Sequence, residues 1–120
     1  MPKLYYFQLQ GRAQAIRYLL SAKNVAFEDC QITGAEWGPM KAAGTYGEGA
    51  QMPILVNDDG TFKTQSMAIL KSLAMEHGYM PETPAAFYEA EWYLDTAADA
   101  FKTPGMVMIF FNQEAPAEDV

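Results

Sequence analysis

The order in which apolar residues switch between strand-like and helix-like spacing over residues 3–78 constrains this chain more than any other feature. Residues 3–8, "KLYYFQ", are rich in aromatics and read as a first strand. Ala15, Ile16, Leu19 and Leu20 then recur at helical spacing, with Arg12 and Arg17 assigned to the opposite face. In "VAFEDCQIT" (25–33), Val25, Phe27 and Asp29 alternate with Ala26, Glu28 and Cys30, as in a second strand. The five glycines of residues 34–50 leave room for a short irregular helix over 37–43 ending in a loop. "MPILVNDDGTFKT" reads as two antiparallel strands around a turn, because Asn, Asp and Gly tolerate the positive φ that hairpin turns demand. Met67, Leu70, Leu73 and Ala74 follow at helical spacing, and Gly78 stands where a helix stops.

A βαβ unit followed by a ββα unit predicts an α/β fold of thioredoxin-like arrangement. Pro81 and Pro84 punctuate a linker after it. "PAAFYEAEWYLDTAADAF" then reads as a long amphipathic helix, with Phe87, Trp92 or Leu94, Ala98 and Phe101 near one another in projection. That helix belongs to something beyond the first domain, and the acidic tail "NQEAPAEDV" has the composition of a loop or frayed end.

The chain's 120 residues suffice for one ordinary domain, or a small domain with an appendage, and exclude a large multidomain enzyme. Eight Lys+Arg against fifteen Asp+Glu give a net charge of −7, which argues against a nucleic-acid partner held by phosphate contacts. No apolar run approaches the roughly 20 residues of a membrane span, so no membrane partner is expected. The longest such run, "MVMIFF" at 106–111, reads as a helix face or docking surface. Cys30 is the only cysteine; an internal disulfide is impossible, and a reducing, cytoplasmic compartment is the expectation.

A thioredoxin-like order first suggests dithiol exchange, which needs a C-x-x-C pair at the start of the first helix. Gln10-Gly11-Arg12 occupies that place, so Cys30 reads as a buried, inert thiol. Pro53 in "QMPIL" is either an ordinary trans proline heading a strand or a cis proline that leaves Met52's backbone groups for a peptide-like ligand. Ser66 in "TQSMAIL" is either a plain helix cap or, with the free amides of a helix start, a site for a carboxylate. No metal site is expected.

"YYF" with "GRAQAIR", "EWGPMKA", "QMPIL" and "QSMAIL" occur in the order and spacing of the cytosolic glutathione S-transferases, and the chain resembles the N-terminal half of their sigma-like members. The resemblance implies a glutathione-binding domain over residues 1–79. Residues 80–120 then form a linker and the first helix of a truncated all-α domain. It selects Tyr6 over Tyr5 as the catalytic hydroxyl, and strand alternation agrees that only one of the two can face a ligand. Glutathione is the implied co-substrate. Trp37 and Lys41 match residues that bind its glycyl carboxylate, Gln51 and Met52, with Pro53, those that pair with its cysteinyl segment, and Gln65 and Ser66 those that take the γ-glutamyl end. Arg12 resembles a residue near the active site, with a helix-surface or interdomain ion pair as an equal alternative. Asp99 matches an acid that reaches the γ-glutamyl amine of a neighbouring subunit, which implies a homodimer.

The implied activity is a detoxifying transferase that attacks hydrophobic electrophiles with a glutathione thiolate. Two alternatives stand beside it: a glutathione-dependent isomerase, and a non-catalytic crystallin-like or interaction relative. Gln14 replaces the family's common glutamate. Most of the wall that binds the electrophile is expected to be missing. Phe87, Tyr88, Trp92, Tyr93, Leu94, Phe101 and "MVMIFF" give more apolar surface than a small domain covers, so dimerisation, segment exchange or aggregation is expected.

Overall fold

The computed structural model of the chain describes residues 1–100. Phe101, "MVMIFF" and the acidic tail lie outside the described residues. Four strands, β1 (Lys3–Phe7), β2 (Glu28–Ile32), β3 (Ile54–Val56) and β4 (Phe62–Thr64), form one sheet in the order β2-β1-β3-β4. β1 runs parallel to β2 and antiparallel to β3, and β3 pairs antiparallel with β4. The parallel pair requires a crossover, which α1 (Gln14–Ala22) supplies after a single 3₁₀ turn at Gly11–Ala13. α2 (Gly34–Ala42) links β2 to the hairpin and α3 (Ser66–Glu76) follows it, completing the expected thioredoxin-like βαβ-ββα order. This first compact unit spans Met1–Tyr79. A second begins at Met80 and contains α4 (Pro84–Ala100), a helix with no buried residue.

Strand alternation divides β1 between two environments. Leu4 and Tyr6 are buried, in one core with Ala13, Ile16, Leu19 and Leu20 of the α1 segment and Ile69 and Leu73 of α3. Tyr5, in register with Cys30 and Ile54, faces the other way. Its ring lies 6.4 Å from Tyr46, which meets Phe62 edge-on at 5.2 Å. The glycine-rich loop after α2 is thereby tied to the sheet by aromatic contacts.

Helix ends follow their local chemistry. At Gly78 (φ 78°) α3 closes with the Tyr79 N–H donating to the Ala74 carbonyl at 2.7 Å, a Schellman geometry. α1 ends in the same way around Asn24 (φ 54°), where the Val25 N–H reaches the Leu20 carbonyl at 2.9 Å. That bond holds residues 25–27 ahead of the ladder, so β2 begins at Glu28 and not at Val25. The hairpin turns through Gly60 (φ 86°), with the Asn57 N–H donating to the Thr61 carbonyl at 2.7 Å.

One placement corrects the sequence reading. Arg17, assigned to the solvent face of α1, is only 8% exposed, while Ala15 of the assigned apolar stripe is exposed.

Candidate functional site

The site begins where β1 gives way to α1. After Phe7 the chain folds back, with the Leu9 N–H donating to the Phe7 carbonyl at 2.8 Å, and Gly11 at φ 43° enters the 3₁₀ turn. A side chain is strained at that φ, which glycine adopts without cost. The fold-back brings the Arg12 backbone N–H to 3.1 Å from the Tyr6 hydroxyl oxygen. Tyr6 itself is 4% exposed. Because its oxygen already accepts a bond from the backbone, the hydroxyl retains its own proton to donate.

Arg17 underlies this junction. Its Nη1 donates to the carbonyls of Leu9 at 2.9 Å and Gln10 at 3.3 Å and to the Gln14 side chain at 3.1 Å. Its Nε donates to Asp29 of β2 at 3.2 Å, and its guanidinium carbon lies 5.8 Å from the Tyr6 ring centroid. A buried charge is tolerated only when paired and hydrogen-bonded, which explains why this arginine could leave the solvent face.

The second element is the segment before β3. The Met52–Pro53 peptide bond is cis, both residues are buried, and the ladder with β1 starts one residue later at Ile54.

The third element is the start of α3. Gln65 is a non-glycine residue at φ 73° and ψ 107°, and no side chain caps the helix there. Its carbonyl accepts the Ile69 N–H at 2.9 Å, while the first turn carries no acidic residue. Ser66 is thus the first residue of the helix and not its cap. α2 differs: Thr33 and Glu36 form a reciprocal capping box, with the Glu36 N–H donating to the Thr33 hydroxyl at 3.1 Å and the Thr33 N–H to the Glu36 carboxylate at 3.0 Å. α2 satisfies its own N-terminus with side chains, whereas α3 has no side-chain cap and keeps its first-turn amides and the positive end of its dipole at the helix start.

Arg12, Gln51, Met52, Pro53, Gln65 and Ser66 line one open cleft of about 310 Å³. Trp37 and Lys41, one turn apart on α2, are half-buried against the core and exposed, respectively, and neither they nor Tyr6 line this cleft, to which Tyr6 is joined through the Arg12 backbone N–H. Asp99 is an exposed residue of α4 in the second unit. Arg17 and the Thr33–Glu36 box escaped the sequence reading. The box was legible as T-x-x-E ahead of Trp37, whereas Arg17 had no signal without the register of β2.

Tyr5 and Cys30 share the other face of the sheet. Burial raises the Tyr5 phenol above its ordinary pKa, and the neighbouring Cys30 and Tyr46 add to that. Burial also raises the Cys30 thiol, followed by the charge of Glu28. Both groups are held in their neutral forms.

No family model matches the chain. Curated relatives do. Hematopoietic prostaglandin D synthase of Gallus gallus is 38% identical over 97 residues, 81% of this chain and 47% of that protein. Glutathione S-transferase 4 of Caenorhabditis elegans is 33% identical over 111 residues, 92% and 48%. S-crystallin SL11 of Nototodarus sloanii is 31% identical over 115 residues, 96% and 53%. Among solved structures, a sigma class GST of Fasciola hepatica superposes with a TM-score of 0.70 at 35% identity, covering 87% of this chain and 53% of that one. The chain spans about half the length of the curated relatives it matches.

Proposed function

We propose that this chain, similar in sequence and fold to the N-terminal half of the glutathione S-transferases, sigma-class proteins included, is the glutathione-binding half of a transferase. Tyr6 donates its hydroxyl proton to the glutathione sulfur and favours the thiolate, which attacks a hydrophobic electrophile. A free thiol titrates near ~8.5, so few molecules are nucleophilic at neutral pH without such a donor. A hydrogen bond to the charged form lowers the thiol pKa, each unit corresponding to about 1.4 kcal/mol.

The observation that carries this reading is the convergence of Gln51, Met52, Pro53, Gln65, Ser66 and Arg12 on one cleft, with the uncapped start of α3 at its edge. The γ-glutamyl carboxylate suits that helix start, and the cysteinyl backbone suits the Met52 segment beside it. Trp37 and Lys41 take the glycyl carboxylate. Residues 80–120 begin an all-helical second domain, and Asp99 completes the site across a homodimer. With one cysteine and no possible internal disulfide, the chain suits the reducing cytoplasm.

Calorimetric titration of the folded chain with glutathione tests the assignment: sub-millimolar to millimolar binding is expected, and no heat at millimolar glutathione overturns it. A glutathione-dependent isomerisation by the same thiolate is the second reading, favoured by the 38% identity to the Gallus gallus prostaglandin D synthase. A lens-type structural role, suggested by the similarity to an S-crystallin, has no need of a proton-donating Tyr6, and the same titration separates it.

A further inference from the structure

The β3–β4 hairpin joins the two arms of the cleft. β3 begins directly after Met52–Pro53 and β4 ends directly before Gln65–Ser66, so the pairing of Ile54 with Thr64 and of Val56 with Phe62 spaces those arms. In a hairpin the turn sets that register. This turn contains Asp59–Gly60, the one place in the sequence where an aspartate precedes a glycine, and no asparagine precedes one. The dipeptide carries a reaction of its own, because glycine has no Cβ to screen its backbone nitrogen from the aspartyl carboxyl. The Gly60 nitrogen attacks the Asp59 Cγ. The new C–N bond closes a succinimide ring as the amide hydrogen and the carboxyl hydroxyl leave together as water. Water then reopens the ring, restoring aspartate when it adds at Cγ. When it adds at the main-chain carbonyl it gives isoaspartate, whose side-chain carbon now lies in the backbone.

The turn engages both reacting groups elsewhere. The Gly60 N–H donates to the Asn57 carbonyl at 3.0 Å. Asp59 Oδ1 accepts the Thr61 N–H at 2.9 Å and the Thr61 hydroxyl at 2.6 Å, which aims the carboxylate past Gly60. The Asn57 side-chain amide donates to the oxygen of that hydroxyl at 3.0 Å and leaves its proton for Asp59. These bonds, the hydroxyl's first, hold the Asp59 carboxyl below its ordinary pKa, and an ionised carboxylate has no hydroxyl to release as water. Asp59 is exposed, so burial gives it no protection. We propose that Asp59–Gly60 is a site of spontaneous isoaspartate formation gated by the Thr61 hydroxyl, and that its isomerisation slackens the spacing of the two cleft arms. The gate stands on the turn alone. Its consequence for binding rests on the reading of the cleft as a glutathione site.

The test is the rate at which isoaspartate accumulates in the full chain held at neutral pH, located at Asp59 by peptide mass spectrometry and counted by enzymatic methylation of isoaspartyl carboxyls. Native chain, Thr61→Ala, Thr61→Ser and native chain unfolded in urea are compared. Thr61→Ala should isomerise about three- to tenfold faster than the native chain, the measure of one lost hydrogen bond. Thr61→Ser keeps the hydroxyl and should stay near the native rate. Unfolding removes every bond of the turn and should accelerate the reaction by at least about tenfold. Calorimetry on aged Thr61→Ala should show glutathione affinity falling as isoaspartate rises, with fresh Thr61→Ala binding as the native chain does. A native rate in folded Thr61→Ala overturns the gate. If Thr61→Ala does not fold, equal rates in the native chain with and without urea overturn it, and a slower native rate supports it. Isoaspartate that accumulates without loss of affinity overturns the link to the cleft. Failure of the fresh native chain to bind glutathione sinks the functional reading instead, and the isoaspartate rates still decide the gate.

Discussion

Gln65→Gly should make the protein more stable and a poorer binder of glutathione at once. Gln65 holds φ 73° and ψ 107°, a conformation that a side chain rarely adopts and glycine adopts freely. Such a residue carries about 1–3 kcal/mol of strain, and glycine gives back about 0.5–1 kcal/mol through the freedom of the unfolded chain. Gln65 is exposed and its side chain caps nothing, so little packing is lost. The net expectation is about 1 kcal/mol of stabilisation, or about 4–8 °C in Tm for a unit of this size. Against that, the Gln65 amide is lost from the cleft. One neutral hydrogen bond is worth about 0.5–1.5 kcal/mol, so Kd for glutathione should rise roughly three- to tenfold. Thermal unfolding followed by circular dichroism and calorimetric titration on the same samples read both effects. A lowered Tm, or an unchanged Kd, refutes the idea that the strain at the head of α3 is held there for the ligand.

Ile69→Ala should cost about 2–5 kcal/mol in urea unfolding, because Ile69 is fully buried between α3 and the core that carries Tyr6. Cys30 should alkylate more slowly than free cysteine at neutral pH, since burial raises its thiol pKa; its rate should keep climbing with pH beyond the range where free cysteine levels off, as iodoacetamide kinetics would record.

The element order was legible because each period change in the sequence falls near a real boundary, although β2 starts at Glu28 and not at Val25, and α2 runs over Gly34–Ala42 and not over 37–43. The hairpin was written in "NDDG", where Gly60 takes the positive φ, and the end of α3 in Gly78. The stripe Ile16, Leu19 and Leu20 does line the core. Arg17 was misplaced because helical projection reports where a Cα–Cβ bond points, while a long guanidinium reaches a carboxylate twelve residues away on another strand. Only the parallel register of β1 with β2, which puts Asp29 beside Leu4, discloses that partner, and no local pattern encodes it. β2 was blurred for a related reason: "EDCQI" is a polar edge strand, and its pairing with β1 outweighs its weak alternation. In the cleft, the order Gln51, Met52, Pro53, Gln65 and Ser66 was visible as a resemblance. The cis bond, the strained Gln65 and the uncapped start of α3 belong to backbone geometry, which residue identity alone does not state.

If the Tyr6 hydroxyl turns bound glutathione into a nucleophile, the ultraviolet titration of the bound thiol must differ between the native chain and Tyr6→Phe. The native chain should titrate below the ~8.5 of a free thiol. In Tyr6→Phe the midpoint should rise by about one to two units, with the affinity for glutathione nearly unchanged because only one oxygen has gone. Superimposable titration curves for the two proteins, with glutathione bound in both, would contradict it.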